Sequence, residues 1–322
     1  MVWNLTSEQQ LEETYRQSIE PFWQSQVHSG HWLGKHGVRL NYAWSLPKGC
    51  ERVVVISSGR IESLLKYKEL VFDLFSNGLG VFICDHRGQG LSERMTSDHH
   101  HGYVANFNDY VDDLISFVHQ QVRVRTRLPL HLLCHSMGGA IGVLAALREP
   151  DLFRRIVVSA PMFGIRPAMP GWMASGVIGY WLLVNRVRRQ SAGYFFGQKP
   201  YAPAPFGLNK LTHSAVRYRI FRELYAAKPE IQLGGVTSEW LHAAHRGMAE
   251  VESNAHLLAI PALVLSAGSD SVVDNRRQKR VADLFPDGRF HVVEHARHEL
   301  FIETDSHRNE ALTLAMDFIA ED

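Results

Sequence analysis

Cysteine is scarce in this chain of 322 residues: Cys50, Cys84 and Cys134 form an odd and sparse set. Two of them, Cys84 and Cys134, stand in apolar runs that read as buried strands, so no disulfide framework is expected and a reducing compartment fits best. An excess of one charge is lacking too. Lys and Arg total 34 against 33 Asp and Glu, and a net charge of +1 gives no general attraction to nucleic acid. Long hydrophobic runs are also missing: the longest, Trp172 to Val184, has thirteen residues and is too short to span a bilayer. The stretch Met1 to Arg16 places Asn4, Ser7 and Glu8 where a secretory signal would carry basic and then apolar residues, so export by that route is not expected. The expectation is a cytoplasmic protein, either dissolved or resting on a membrane surface.

What is present is ordinary globular composition, 45% hydrophobic and 21% charged. The length exceeds what one hydrophobic core usually fills, which predicts a large domain carrying an insertion. After a helix over Ser7 to Gln26 and a hairpin-like stretch from His31 to Leu46, a strand-then-helix rhythm begins. Strands are expected in Arg52 to Ser57, Gly80 to Asp85, Leu130 to Cys134 and Arg155 to Ser159. Helices are expected in Leu64 to Ser76, Phe107 to Gln121 and Met137 to Arg148. This alternation predicts an α/β fold, a mostly parallel central sheet flanked by helices. The rhythm stops after Pro161, shows no convincing core strand to about residue 255, and resumes with a strand over Pro261 to Ser266. A helix (Asn275 to Leu284), a strand (Arg289 to Val293) and a last helix (Ser306 to Ile319) complete it. The predicted organisation is therefore a core in two parts, 1–160 and 256–322, interrupted by a mainly helical lid, 161–255.

Cys134-His135-Ser136-Met137-Gly138-Gly139 joins an apolar strand to an Ala/Gly/Leu helix, the setting of a nucleophile elbow. In that sharp turn the residues two before and two after the serine must be small. Gly138 meets the requirement fully, whereas Cys134 stands where the pattern has Gly. The competing role for Ser136 is simply to cap the helix it opens. Partners in the order nucleophile, acid, histidine favour catalysis: Ser136, then Asp270 after one late strand, then His298 after the next. An imidazole with a pKa near 6.5 can take the serine proton, while a carboxylate holds the ring in the productive tautomer. Asp274, which looks like the cap of the helix after it, remains the alternative acid. His295 lies nearer the strand end than His298, and His291 lies within the strand. The expected oxyanion donors are the backbone N–H groups of Met137 and of Arg60, in the loop Ser57-Ser58-Gly59-Arg60. The row His99-His100-His101 lacks a ligand pattern around it and reads as a solvated loop, so no metal or cofactor is expected.

Taken with the elbow, Ser58-Gly59-Arg60-Ile61-Glu62-Ser63 and Asp85-His86-Arg87-Gly88-Gln89-Gly90-Leu91-Ser92 resemble the monoacylglycerol-lipase-like α/β hydrolases. Phe107 to Asp113, Ala160 to Ile165, Leu211 to Ser214 and Val272 to Asn275 are similar to strings of the bacterial inner-membrane lysophospholipases, the PldB family. The resemblance covers roughly residues 50 to 320. It implies the α/β-hydrolase fold, an acyl-enzyme mechanism that cleaves the single ester of a lysophospholipid, and a triad of Ser136, Asp270 and His298. Monoacylglycerol lipase, general carboxylesterase and acyltransferase activities are the neighbouring alternatives, and a silent lipid-binding protein on this fold is the alternative from another class. The broader group has His where this chain has Ser58.

Between Pro161 and Ala255 stand 11 Lys and Arg against 5 Asp and Glu, so the lid carries +6 and the rest −5. Trp172, Met173, Ile178, Trp181, Leu182 and Leu183 precede Arg186, Arg188 and Arg189, a pairing suited to peripheral contact with acyl tails and phosphates. The other outcome is that the apolar side packs on the core and the arginines are solvated.

Overall fold

The computed structural model describes residues 2–167, 171–188 and 192–321. Runs of β-branched and aliphatic residues form eight strands: β1 (His28–Leu33), β2 (Arg39–Ser45), β3 (Val53–Ser57), β4 (Gly80–Cys84), β5 (Leu130–His135), β6 (Arg155–Ser159), β7 (Ala262–Ala267) and β8 (Gly288–Val293). They pair in the order β1-β2-β4-β3-β5-β6-β7-β8. The β1–β2 and β2–β4 pairs are antiparallel, and all later pairs are parallel.

The inner strands read as unbroken apolar runs because both their faces are covered. Successive side chains point to opposite faces of a strand. Val53 and Val55 of β3 enter one hydrophobic cluster, while Val54 and Ile56 enter the other. Helices close both faces: α1 (Leu11–Thr14), α2 (Glu20–Gln26), α3 (Lys68–Ser76), α4 (Asn108–Phe117), α5 (Met137–Arg148), α6 (Gly171–Val187), α7 (Ala215–Ala227), α8 (Ser238–Asn254), α9 (Asn275–Ala282) and α10 (Asp305–Ala320). The helix expected over Ser7 to Gln26 is broken by a π-turn at Tyr15–Ile19, and the one expected to reach Gln121 ends in a second π-turn at Val118–Val122.

Between β6 and β7 the described residues add helices α6, α7 and α8 and no strand of the sheet. Isolated bridges link this segment to its surroundings, Gly102 to Val236 and Ile165 to Val273 among them. The segment also contributes to the core itself: Trp240, Ala244 and Met248 of α8 join one cluster, and Tyr218, Phe221 and Tyr225 of α7 join the other. No helix among the described residues is long and apolar enough to cross a membrane.

Parallel strands place their following loops at one edge of the sheet. The loops after β3, β5, β7 and β8 therefore bring residues 58–62, Ser136, Asp270 and His298 to a common rim.

Candidate active site

Ser136 follows directly on β5 and opens α5. Its backbone takes φ 52° and ψ −116°, a conformation that costs an L-residue on the order of 1–3 kcal/mol. The turn is held from outside: the Ser136 N–H donates to the Ser159 carbonyl at 3.0 Å, and the Ser136 carbonyl accepts from Met162 at 2.9 Å. The hydroxyl makes no cap bond to α5, which removes the capping role. A Cβ at position 138 would lie 2.1 Å from the Ser57 carbonyl oxygen, so Gly138 lets the elbow sit against the loop after β3. Cys134 is accommodated by a second glycine. A Cβ at position 142 would lie 2.4 Å from the Cys134 sulfur, so Gly142 on α5 vacates the space that the departure from the usual pattern needs.

His298 Nε2 lies 3.0 Å from Ser136 Oγ, and His298 Nδ1 lies 2.7 Å from Asp270 Oδ2. All three residues are buried. The other Asp270 oxygen accepts the N–H groups of Val272 and Val273 at 2.7 and 3.1 Å. Burial works to raise the Asp270 carboxyl, but the His298 bond and charge and these two N–H groups outweigh it, and the pKa falls below the usual value. Asp274 instead accepts from the Arg276 N–H at the start of α9, so it caps that helix. His295 is exposed, and His291 pairs with Glu310 at 2.7 Å on the outer surface. The trio of histidines is spread over separate surface contacts, His99 to the Glu230 carbonyl and His101 to Asp98.

The loop after β3 is braced from several directions. Gln89 donates to the carbonyls of Gly59 and Glu62 at 2.7 and 3.2 Å, and Tyr225 of α7 donates to the Ile61 carbonyl at 2.6 Å. Asp85 accepts the N–H groups of Leu64 and Leu91 at 2.5 and 2.7 Å, and Arg87 is paired with Asp113 at 2.6 Å. The string Asp85 to Ser92 thus builds the wall that carries the loop. Among the described residues the Arg60 backbone N–H has no backbone acceptor outside helices and strands, and Met137 is the first residue of α5, where an N–H has no partner within the helix. The Arg60 side chain runs along the cavity wall, donates to the Gly234 carbonyl at 3.0 Å and lies 5.4 Å from the Trp240 ring centre.

A buried charge cluster that sequence reasoning missed stands next to His298. Lys66 Nζ lies 2.9 Å from Glu62 and 2.7 Å from Glu299, so one ammonium links the loop after β3 to the loop carrying His298. Burial acts to raise the Glu62 carboxyl, yet Lys66 and His135 hold it down to about 2. Burial and the charge of Glu62 push Glu299 up despite Lys66. Desolvation lowers His135 to about 4, so its imidazole is neutral at pH 7. Glu62 and Lys66 are visible as an i,i+4 pair, but Glu299 lies 233 residues from Lys66 and no local pattern connects them. Glu62, His135 and Glu299 also stand close enough to hold a cation, and the Lys66 ammonium fills that role. A second such group, His213, Glu303 and His307, has the Glu303 oxygens already bonded to the N–H groups of His213, Arg297 and Thr304.

Ser136 and His298 open into a cavity of about 730 Å³, walled by Met162, Ile165, Tyr218, Phe221, Trp240 and Val273 among others. Trp172 is exposed, Trp181 is half-buried and stacked on Phe196, and Arg186 and Arg188 are exposed. Arg189 lies outside the described residues. The arrangement can generate a serine alkoxide beside two backbone donors in a cavity with partly apolar walls, the requirements of acyl transfer.

Residues 49–305 match the family described as serine aminopeptidase, S33. Lysophospholipase L2 of Escherichia coli K12 is 39% identical over 307 residues, which cover 93% of this chain and 89% of that protein. Probable lysophospholipase L2 of Haemophilus influenzae is 29% identical over 89% of this chain and 90% of its own length. In fold the chain resembles a soluble variant of monoglyceride lipase from Saccharomyces cerevisiae, with a TM-score of 0.72, 18% identity, and coverage of 92% of this chain and 96% of that one. The chain therefore belongs to the serine aminopeptidase S33 family of α/β hydrolases.

Proposed function

We propose that the protein hydrolyses the acyl ester of a lysophospholipid through an acyl-enzyme on Ser136. The observation that carries this reading is the continuous hydrogen-bonded chain from Ser136 through His298 to Asp270 at the floor of the cavity. His298 Nε2 takes the Ser136 proton as Oγ attacks the ester carbonyl carbon. Asp270 holds the ring and stabilises the imidazolium. The tetrahedral oxyanion is met by the N–H groups of Met137 and Arg60. Its collapse breaks the C–O bond, and His298 returns the proton to the departing glycerol oxygen. Water, deprotonated by the same imidazole, then releases the fatty acid and restores Ser136. The substrate class follows the activity for which the lysophospholipase L2 relatives are named.

Residues 161–255 act in this reading as a lid between the two parts of the core. Helix α6 places Ile178 and Asn185 inward and leaves Trp172, Met173, Val177, Tyr180, Leu183 and Val187 on the exposed side, beside exposed Arg186 and Arg188. Apolar side chains next to arginines suit the boundary between acyl tails and anionic headgroups, so peripheral contact with a membrane surface is part of the proposal.

The test is release of fatty acid from lysophospholipid by wild type and Ser136→Ala. Loss of at least about 10³-fold in kcat is expected. Activity that persists in Ser136→Ala refutes the mechanism.

A further inference from the structure

The cavity over Ser136 carries a positive charge that its own walls do not neutralise. Arg60, Lys66, Arg166, Lys199, Lys210 and Arg222 line it, against the carboxylates of Glu62 and Glu299. Both carboxylates are committed to Lys66. The remaining five cations have no ion pair among the described residues.

Arg222 is the most exacting of these. Its Nη2 is buried and has no hydrogen-bond partner. The guanidinium carbon lies 5.2 Å from the ring centre of Tyr201 and 6.0 Å from that of Tyr218. Ring faces hold a guanidinium in place by cation–π attraction but offer no lone pair to its donors. Arg60 is half-buried; burial lowers its pKa to about 10, and its side chain donates to one backbone carbonyl, that of Gly234. Gly234 packs so closely on Tyr201 that a Cβ there would lie 2.8 Å from the Tyr201 nitrogen, so the two segments that Arg60 and Arg222 touch run side by side in the wall of the cavity. A buried donor without an acceptor, such as Arg222 Nη2, is a standing cost to the fold unless a ligand supplies the acceptor.

We propose that Arg222 and Arg60 form a phosphodiester subsite that receives the headgroup phosphate of the substrate and selects it over a neutral acylglycerol. The proposal rests on the ester-hydrolase reading above. The planar donor fork of a guanidinium matches the paired oxygens of a phosphodiester. In a lysophospholipid the phosphate is separated from the scissile ester by one glycerol unit. Arg60 belongs to the loop proposed to hold the oxyanion, so a phosphate near it is compatible with an ester carbonyl over Ser136. Met162, Ile165, Val272 and Val273, drawn together by the Ile165–Val273 bridge, leave apolar wall for the acyl chain.

The experiment compares kcat/KM of the full chain for a lysophosphatidylglycerol and a monoacylglycerol with the same short acyl chain, both below their critical micelle concentrations so that no lipid interface contributes. Arg222→Gln is expected to lower the ratio of the two values about 10- to 100-fold, mainly through KM for the phospholipid. Arg222→Lys keeps the charge but not the planar fork, so it is expected to lower the ratio, though less than Arg222→Gln does. Should the Gln variant not fold, Arg222→Met retains the aliphatic stem against Tyr201 and Tyr218 and reads the same ratio. Equal loss on both substrates assigns Arg222 to packing and overturns the subsite, with the hydrolase reading intact. Inhibition by inorganic phosphate that Arg222→Gln relieves, with the ratio unchanged, marks a site for a free anion and likewise overturns it. If wild type cleaves neither ester, the hydrolase reading fails and takes the subsite with it.

Discussion

Cys134 shows how a departure from a motif is absorbed one residue at a time. The pattern asks for a side chain of minimal size two positions before the nucleophile, and here the sulfur fits because α5 carries Gly142 opposite it. The two acidic candidates near β7 are separated in the same local way. Asp270 faces His298, whereas Asp274 ends in the backbone of α9. Asp270→Asn is therefore expected to lower kcat about 10⁴-fold with little change in stability, because an amide cannot enforce the same tautomer on His298. Asp274→Ala is expected to lower stability by about 1 kcal/mol and to leave kcat nearly unchanged. Steady-state kinetics with urea unfolding of both variants distinguishes them, and a comparable loss of activity in Asp274→Ala contradicts the assignment.

At the scale of elements, the rim loops are held in register by contacts between distant parts of the chain. Lys66 ties the loop after β3 to the loop after β8, and Tyr225 ties α7 to the first of these. Helix α6 differs from every other long helix in leaving Trp172, Val177, Tyr180, Leu183 and Val187 uncovered. The hydrophobic effect favours burial of such a stripe, and its flanking arginines favour an anionic surface as the partner. Replacing Arg186, Arg188 and Arg189 together by Ala is expected to weaken binding to anionic vesicles by about 1 kcal/mol per arginine at the surface, while binding to neutral vesicles is weak throughout. Vesicle co-sedimentation measures this. Undiminished binding by the triple variant removes the membrane role from α6.

The molecule as a whole buries several ionisable groups in states that acid disrupts. Desolvation lowers His86, His131 and His135 to about 4 from an ordinary value of 6.5. A depressed folded-state pKa means that the unfolded chain binds protons the folded chain refuses. Stability is then present above pH 6.5 and is lost as pH falls toward 4, on the order of 2–3 kcal/mol for each histidine. Glu62, held down to about 2, adds a further loss between pH 4.5 and 2. His131 offers the cleanest check, since it lies on β5, five residues before Ser136, with neither ring nitrogen bonded. The pH dependence of the unfolding free energy near pH 5 is expected to lose close to one proton in His131→Phe. An unchanged slope would mean that His131 is not held neutral in the folded protein.

Periodicity and residue type were enough to specify the alternating strands and helices, the break after β6 and the order of Ser136, Asp270 and His298, because apolar patterning and turn chemistry are local properties of the chain. The family strings were legible for the same reason, although the work of Asp85, Arg87 and Gln89 in bracing the loop after β3 was not. Which of Asp270 and Asp274 meets the histidine depended on the path of one turn after β7. The joining of Lys66 to Glu299, the Gly142 hollow for Cys134, and the division of α6 into a packed side and an open one came from packing. Those features depend on which surfaces meet when distant segments fold together, and a linear pattern carries no measure of that distance.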